Sequence, residues 1–391
     1  MHPYQLSSLF ACLFLIGSAE VVAGPMMGFM GADFSVPSSD IAYLPAAYGL
    51  SYGLIAILAG PLSDRFGRKR PLQFGLLGFA IFNALLPSAA QLRDAVLLSG
   101  LAGCCAAVIQ PNALSLVGDE VAPAEVGRYL GKVFIGLMLA FVLTPAIAGL
   151  LADHLGWRAA YYGLSVFAVA VLGAVSVAFP RAGQSARQPG AFHTVHLGAI
   201  GTKGARPRLA ASYLWLGWVA GFGAVVAEVS RHALPLSPTD AGLLAAFYGL
   251  AVIAGNLASP WLYRVWGSAA LPVIAGLSAL GIAAFLLPVN SVAQLAFAGL
   301  PWAFGYGCAG PLHHAALSAL SDHYRGTINS YHASLLNIGI FSVSFLLGAV
   351  ATDRSVTVFC LAASFVALCG AAMLWSARGG RANLEASRGD A

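Results

Sequence analysis

Uncharged apolar stretches alternate with short polar segments along most of the chain. Stretches without Asp, Glu, Lys or Arg cover residues 41–63, 71–92, 95–118, 133–152, 159–180, 209–227, 241–263, 326–352 and 355–377. Each is close to the roughly 20 residues that a helix needs to cross a bilayer. Residues 265–321 also lack these residue types and are long enough for two helices, with a break near Pro288-Val289-Asn290. With residues 5–30, interrupted only by Glu20, the pattern predicts twelve transmembrane helices, called spans 1–12.

The composition agrees with this pattern. Charged residues make up 9% of the chain and apolar residues 59%, whereas soluble domains carry about 25% charged residues. A soluble protein of this composition would expose large apolar patches. We therefore predict an all-α membrane protein. The first stretch lacks a basic start and a small-residue cleavage pattern, so we interpret it as a retained span rather than a removed signal peptide.

The cysteines do not indicate a metal site. All six lie inside apolar stretches, at Cys12, Cys104, Cys105, Cys308, Cys360 and Cys369. Their spacing is not that of metal ligands, and buried cysteines usually act as small packing residues. We therefore predict neither a bound metal nor a cofactor.

The basic residues predict the orientation. Sixteen Lys and Arg residues fall in the loops of one side, and only four, Arg93, Arg158, Arg231 and Arg354, fall on the other. Basic loops remain in the cytoplasm, so we predict that both termini and the long loop 181–208 are cytoplasmic. The expected location is the plasma membrane, which in a bacterium is the inner membrane. The net charge of +5 then follows from topology, and no nucleic-acid partner is needed to explain it.

The chain repeats itself at an offset near 200 residues. Residues 39–50 match residues 239–250, and residues 105–119 and 149–153 match later segments at 308–322 and 348–353. A parallel repeat of this kind builds a binding site at the interface of two rocking halves. We predict an N-terminal six-helix bundle over 1–180, a linker over 181–208 and a C-terminal six-helix bundle with a short tail over 209–391. The Ser39-Asp40 and Thr239-Asp240 pairs are predicted helix caps.

The loop between spans 2 and 3 concentrates charge. It reads Gly60-Pro61-Leu62-Ser63-Asp64-Arg65-Phe66-Gly67-Arg68-Lys69-Arg70. This run resembles the signature Gly-x-Leu-Ala-Asp-Arg-x-Gly-Arg-Arg of the major facilitator superfamily, with Ser63 in place of the usual Ala. Together with the twelve spans and the duplication, the resemblance covers essentially the whole chain. It implies a fold of two pseudo-symmetric six-helix bundles that alternately expose a central site.

The resemblance also implies a gating motif at the cytoplasmic face, made of Gly60, Asp64, Arg65, Gly67 and Arg68. In the family, Asp64 would meet the N-terminus of span 11 near Gly326, where a carboxylate is favoured by about 0.3–1 kcal/mol. Arg65 and Arg68 would pair with neighbouring carboxylates and keep that face closed. The alternative is that the cluster only sets topology, which requires positive charge but not this spacing of Gly and Asp.

Within the superfamily, the chain is most similar to the twelve-span drug and sugar-efflux branch. Span 1 reads Gly17-Ser18-Ala19-Glu20 before Gly24-Pro25, and its exit at 32–36 resembles the Ala-Asp-Leu-Gly-Val turn of that branch. Two features depart from it. Ser99 occupies the position of a span 4 arginine that is associated with proton coupling. The antiporter motif of span 5 persists only as Gly136, Thr144-Pro145 and Ala148-Gly149.

Two acidic residues lie well inside apolar spans, Glu20 in span 1 and Glu228 in span 7. A charge at membrane depth costs about 2.5–3.5 kcal/mol on insertion scales, so such residues usually face a cavity and act there. A carboxyl in that environment favours its protonated form, as a proton carrier requires. Glu20 is the leading candidate. Glu228 precedes Arg231 by three residues, so an ion pair within one helix is the alternative.

Several neutral polar residues are further candidates for proton coupling or substrate binding. Histidines can relay protons, although a histidine inside a span is more often a hydrogen-bonding partner of another helix. The candidates in spans 4, 8, 10 and 11 are Gln110, Asn112, Asn256, His313, His314, Tyr331, His332 and Asn337.

No sequence motif for catalysis or nucleotide binding occurs, so we predict that the protein is not an enzyme. The first hypothesis is a monomeric secondary active transporter that exports a small organic molecule by proton-coupled alternating access. Uptake or facilitated transport without proton antiport is the alternative, supported by Ser99. A non-transporting membrane sensor on a transporter scaffold is a hypothesis from another class. The identity of the substrate is open.

Overall fold

The computed structural model describes the backbone of residues 1–122, 125–179, 192–321, 324–349 and 355–389. The side chains of the same residues are described except those of 59–66, 127, 192–196, 325–326, 355 and 378–389. Within these ranges the chain is helical throughout, with no β-strand. Helices satisfy their own backbone hydrogen bonds, which a chain inside hydrocarbon requires.

The N-terminal half contains seven α-helices in the described ranges. Span 1 is divided in two, because Pro25 has no N–H to donate to the preceding turn and a 3-10 turn follows at Gly24–Met26. The helices are α1 (Pro3–Val21), α2 (Met27–Phe34), α3 (Tyr43–Phe66), α4 (Lys69–Leu85), α5 (Leu92–Glu120), α6 (Val126–Leu155) and α7 (Arg158–Ala178).

The C-terminal half begins inside the predicted linker. Residues 181–191 of that linker, like residue 180 before it, lie outside the described ranges. The described part of the linker, 192–208, contains one short helix and the first residues of the next. The helices are α8 (Phe192–Gly201), α9 (Ala205–Ala211), α10 (Trp218–Ala233), α11 (Pro238–Trp266), α12 (Ala270–Ala283), α13 (Val292–Ser318), α14 (Arg325–Ala349) and α15 (Ser355–Gly389). A π-helical segment, Ser212–Gly217, joins α9 to α10.

The helices agree with the predicted spans. Ten segments of the described chain are long and apolar enough to cross a membrane, and one of them, Pro238–Leu286, contains both α11 and α12. The 27-residue helix α13 is a further helix of spanning length. The break predicted near residues 288–290 is confirmed, because α12 and its 3-10 extension end at Leu286 and α13 begins at Val292.

The two halves meet along two helix pairs. α3 of the N-terminal half packs against α14, and α11 of the C-terminal half packs against α6. Inside each half, α3 packs against α5 and the repeat-related α11 packs against α13. The contact pattern therefore reproduces the internal repeat found in the sequence.

The bundle has two faces. The linker face carries the described turn residues 67–68, 121–122 and 319–321 together with α8. The opposite face, called the far face, carries the turns at 35–42, 88–91, 156–157, 234–237 and 287–291. Because successive spans run in opposite directions, each of these described turns falls on one of the two faces.

Helices approach closely where glycine removes a side chain. A Cβ added at Gly136 of α6 would lie 2.3 Å from the Phe10 carbonyl oxygen of α1, well inside van der Waals contact. Small residues in membrane helices permit this kind of close packing. Gly67 has a different reason to be glycine: its φ of +76° lies in the region that only glycine adopts readily.

Both predicted side-chain caps are wrong in detail. The side chain that caps α11 is Ser237, two residues before the predicted Thr239, and its hydroxyl oxygen accepts from the backbone N–H of Asp240 at 3.0 Å. Span 2 begins with a 3-10 turn, Ser38–Ala42, that has no side-chain cap. The sequence pattern located both helix starts to within a few residues but not the capping groups.

The close approach at Gly136 predicts that two Gly→Ala substitutions have different effects on stability. Gly136→Ala forces α1 and α6 apart and is expected to destabilise the protein by about 1–3 kcal/mol. Gly163→Ala in α7, where an added Cβ meets nothing within 4 Å, is expected to be neutral or stabilising by up to about 1 kcal/mol, because alanine favours the helix. Thermal unfolding of the detergent-solubilised protein measures both. Equal melting temperatures for the two variants would contradict this packing.

Candidate functional site

A central cavity of about 50 Å³ lies between the two halves. Its walls come from α1, α3 and α6 on one side and from α10, α11, α13 and α14 on the other. They include the two helix pairs, α3 with α14 and α6 with α11, along which the halves meet. The cavity therefore occupies the position at which a rocking motion would alternately open it to the two faces.

Glu20 lies at this cavity. It is the next-to-last residue of α1, just before the helix breaks at Gly24–Met26, and it is the only acidic residue among those lining the cavity in the described chain. Its side chain is half-buried. In the described part of the chain no group forms a hydrogen bond or ion pair with its carboxyl group, so this carboxyl is available to a proton or a ligand.

Five aromatic side chains belong to the remaining wall, together with small and aliphatic residues: Tyr48, Phe141, Tyr248, Trp302 and Tyr306. Trp302 is fixed by its indole N–H, which donates to the Val219 carbonyl at 2.9 Å. The Tyr248 hydroxyl donates to the Leu295 carbonyl at 2.8 Å. Phe141 and Tyr306 come from different halves and meet edge to face, with ring centroids 6.5 Å apart.

The lining is poor in polar groups apart from Glu20. Asn337 of α14 reaches the cavity, and its side-chain carbonyl oxygen is buried and has no partner in the described structure. The Tyr48 hydroxyl is likewise buried and unpartnered there. No Lys or Arg belongs to the described lining. One carboxyl surrounded by aromatic faces suits an apolar molecule that carries a positive charge, because aromatic faces also attract cations.

Glu20 and Asn337 are thus the two sequence-predicted candidates that line the cavity. Gln110 of α5 accepts a hydrogen bond from the Tyr52 hydroxyl at 2.7 Å, inside the N-terminal half. Asn112 is buried, and its amide nitrogen donates to the Val108 carbonyl of its own helix. Asn256 and Tyr331 are half-buried outside the cavity lining. Their roles remain predictions.

The three candidate histidines come together around Ser212, at the start of the π-helical segment. The Ser212 hydroxyl lies 2.9 Å from His313 Nε2 and 2.8 Å from His332 Nδ1, and it donates to the Arg208 carbonyl at 3.1 Å. The His314 and His332 rings have centroids 5.8 Å apart. One hydroxyl group thus contacts three partners, donating its hydrogen to the Arg208 carbonyl while its oxygen can accept from the two ring nitrogens, which ties α9, α13 and α14 together inside the C-terminal half.

This histidine cluster is distinct from the central cavity. His313 is fully buried, and none of the three histidines belongs to the cavity lining. It lies on the same helices as Tyr306 and Asn337, one to two turns closer to the linker face. No group of metal-ligand geometry is found in the described chain.

Glu228 is buried at the far face and paired. Arg231 Nη1 lies 3.2 Å from Glu228 Oε2, with the two side chains 13% and 2% exposed. The ion pair within α10 that the sequence offered as an alternative is therefore present. The Ser38 hydroxyl donates to the other carboxylate oxygen, and Arg231 Nη2 donates to the Pro25 carbonyl, so both ions also contact the N-terminal half.

The predicted gating motif is only partly described. Gly60, Asp64 and Arg65 lie outside the described side chains, and so does the proposed contact near Gly326. Arg68 forms an ion pair with Asp119 at the end of α5, at 2.6 Å between Nε and Oδ2. Such a pairing is what the family resemblance implied for this arginine.

Ser99 is buried beside the cavity, in the N-terminal half. Its hydroxyl donates to the Leu44 carbonyl at 2.8 Å. It lines a smaller cavity of about 20 Å³ together with Asn83 and Tyr161, and Tyr48 belongs to the walls of both cavities. Thus a small cavity with a mainly apolar lining and a few polar side chains lies on the other side of Tyr48 from the central cavity.

Sequence reasoning missed the aromatic wall. The repeat contained a usable signal, because Tyr48 and Tyr248 occupy equivalent positions in the matched segments 39–50 and 239–250, and both line the cavity. Ser212 had no such signal, because its contacts to His313 and His332 join helices that are distant in sequence.

Comparisons with known proteins agree with this architecture. The sequence model of the Major Facilitator Superfamily matches residues 9–231. Multidrug resistance protein D of Escherichia coli is 25% identical over 327 residues, 82% of either chain. The tetracenomycin C resistance and export protein of Streptomyces glaucescens is 30% identical over 131 residues, 33% of this chain and 24% of that protein.

The solved structure of a D-xylose-proton symporter is similar at a TM-score of 0.78 and 13% identity, covering 95% of this chain and 97% of the symporter. At this identity the likeness shows the fold alone. The chain spans 24% to 44% of the length of the first curated relatives it matches.

The histidine cluster predicts a stability defect in one serine variant. Ser212→Ala removes the hydroxyl shared by His313 and His332 and is expected to cost about 1–3 kcal/mol, because buried ring nitrogens lose their partner. Ser7→Ala is the matched control. Its hydroxyl also donates to the carbonyl four residues earlier, but at an exposed position, so a change within about 0.5 kcal/mol is expected. Thermal melts compare the two, and an unchanged Ser212→Ala melt contradicts the cluster's role.

Proposed function

The chain belongs to the Major Facilitator Superfamily, and from this premise we propose that it exports a small, largely apolar organic molecule in exchange for protons. It is a multi-pass membrane transporter and not an enzyme. Proton exchange and the direction of transport belong to the proposal. So do a monomeric state, a location in the inner membrane and cytoplasmic termini, for which the asymmetry of basic residues between the two faces is the support.

The observation that carries this proposal is the one carboxyl group in the described lining of the central cavity. Glu20 has no ion-pair or hydrogen-bond partner among the described residues, and it lies where both halves contribute walls. A carboxyl in such a place can bind either a proton or the substrate, but not both at once. Competition of this kind is the simplest form of antiport, since each ligand displaces the other.

Alternating access supplies the movement. In the conformation described, the two halves contact each other at the far face through Ser38, Arg231 and Thr239. Substrate would enter the cavity from the linker face. Separation of the far-face contacts would then release it to the other side, while the gating motif closes the linker face.

Export has the support of two relatives, whose names record multidrug resistance and resistance with export. The competing proposal is uptake or facilitated transport without proton antiport. It is supported by Ser99, which stands where the efflux branch carries an arginine associated with proton coupling, and by the lack of a basic side chain in the described cavity lining.

The Glu20→Gln variant distinguishes proton-coupled export from transport without proton antiport. In proteoliposomes with an imposed pH gradient, the unmodified protein is expected to drive efflux in proportion to the gradient. Glu20→Gln is expected to lose that response, because an amide binds no proton at these pH values. Glu120→Gln at the linker face, where the carboxylate accepts from Gln5, is the matched control. Flux that ignores the gradient in all three proteins would favour facilitated transport.

The cavity walls predict a preference for organic cations. Benzyltrimethylammonium is expected to raise the melting temperature of the purified protein, as a ligand of the folded state does. Tyr306→Leu removes one aromatic face and should weaken binding about 3- to 30-fold, the range of a cation–π contact. Phe247→Leu is the control, because Phe247 lies outside the cavity lining and is 38% exposed. Equal loss in both variants contradicts a cation site at the cavity.

A further inference from the structure

We propose that Glu228, Arg231 and Asp153 form a polar gate that closes the far face, and that Glu228 acts in this gate rather than as a proton carrier. The proposal rests on the alternating-access function, and its test does not require transport. The gate consists of three hydrogen-bonded links between the halves. They join Arg231 to the Pro25 carbonyl, Ser38 to Glu228, and Thr239 to Asp153.

The first two links share one buried ion pair. Glu228 and Arg231 are 2% and 13% exposed and 3.2 Å apart, and each contributes one further hydrogen bond to the N-terminal half. A buried ion pair is stable only if its remaining hydrogen-bonding groups are also satisfied. Here the missing partners are supplied by the other half. The pair is therefore fully satisfied only while the far face is closed, which makes its environment depend on conformation.

A glycine next to Arg231 leaves room for its guanidinium group to reach the Pro25 carbonyl. Gly28 of α2 lies beneath the guanidinium group, and a Cβ at that position would be 3.7 Å from Arg231 Nη1. The carbonyl that Arg231 reaches belongs to Pro25, in the 3-10 turn between α1 and α2. Pro25 lines the central cavity, as does Glu20 five residues earlier. Arg231 of the gate thus contacts the same part of the cavity wall to which Glu20, the candidate proton carrier, belongs.

The third link places a carboxylate at a helix N-terminus of the other half. Asp153, in the last turn of α6, accepts from the backbone N–H of Thr239 at 3.0 Å and from its hydroxyl. Thr239 is the second residue of α11, where free N–H groups favour a negative charge. Close packing accompanies this link, since a Cβ at Gly149 would lie 2.4 Å from the Pro238 carbonyl oxygen.

Asp153 thus reaches from span 5 of the N-terminal half to the start of span 8 in the C-terminal half. If the halves rock, this contact can be complete only while the far face is closed.

The test measures the distance between the halves at the far face. Spin labels are placed at Gln91 and Asn290, which are exposed on far-face loops of the two halves, in a background whose native cysteines are replaced by alanine. Electron–electron double resonance then gives the ratio of closed to open molecules. Ser38→Ala and Asp153→Asn each remove one link, and Glu228→Gln with Arg231→Gln removes the ion pair without leaving an unpaired charge.

Each single substitution is expected to lower the closed-to-open ratio about 2- to 5-fold, the effect of a hydrogen bond or helix-end charge at a partly exposed site. In the combined Ser38→Ala and Asp153→Asn variant, the fold-decrease of the closed-to-open ratio is expected to be roughly the product of the two single decreases. Ser88→Ala and Asp94→Asn are the controls, since they alter the same residue types on the same face without bridging the halves.

An unchanged ratio in the combined variant overturns the gate, and so does an equal shift in the controls. Melting temperatures of all variants are measured alongside, so that general destabilisation is recognised as a loss of both populations. Because no substrate is present, a failure of proton-coupled export in liposomes would leave these distances and their interpretation unaffected.

Discussion

A polar group inside a bilayer has to find its partner within the protein, and most of the internal arrangement follows from this constraint. The buried ions Glu228 and Arg231 satisfy each other and take further bonds from the neighbouring half. The histidines of α13 and α14 share the hydroxyl of Ser212. Glu20 differs from both groups, because within the described chain its carboxyl faces only a cavity with aromatic walls. An unsatisfied carboxyl at that depth is costly to keep, which is why it is the natural position for an exchangeable ligand.

The same constraint explains how the halves can be both tightly packed and mobile. Contacts between α6 and α11 depend on small residues, such as Gly249 beside the Phe141 carbonyl. Between α3 and α14, Gly53 packs against Ile338 and its carbonyl accepts one hydrogen bond from the Ser334 hydroxyl at 2.7 Å. Packing through small residues needs few polar partners, so helices can slide or tilt with little loss of hydrogen bonding. Most of the described side-chain hydrogen bonds between the halves lie near the far face, where they can break without disturbing the helix packing deeper in the interface. Helix packing therefore permits the halves to tilt, and the polar contacts stabilise the closed state of the far face.

Much of the fold could be predicted from the sequence. Runs of uncharged residues predicted the spans, because charge is excluded from hydrocarbon wherever no partner is available. The repeat predicted two similar halves with a site between them, but not which helices meet there. The site was harder to predict. Glu20 was found because an acid in an apolar run is conspicuous, and Asn337 was one of several polar candidates. The aromatic wall was not found, because Tyr48 and Trp302 resemble packing residues until the rotation of each helix is known. The Ser212 contacts join residues 101 and 120 positions apart, and no local pattern carries that information.

The gate and the cavity share two elements, and this sharing links the fold to coupling. α1 carries Glu20, and the turn that follows it carries the Pro25 carbonyl held by Arg231. α10 carries Arg231 and Glu228, and its Ala224 and Ala227 line the cavity. A ligand that spreads the cavity walls would move these two helices relative to each other and so strain the same bonds that close the far face. Conversely, closing the far face restores the geometry around Glu20. Binding of a ligand at the Glu20 carboxyl and opening of the gate thus both depend on the relative position of α1 and α10. Ligand binding changes the state of the gate only to the extent that the ligand favours one position of these helices over the other.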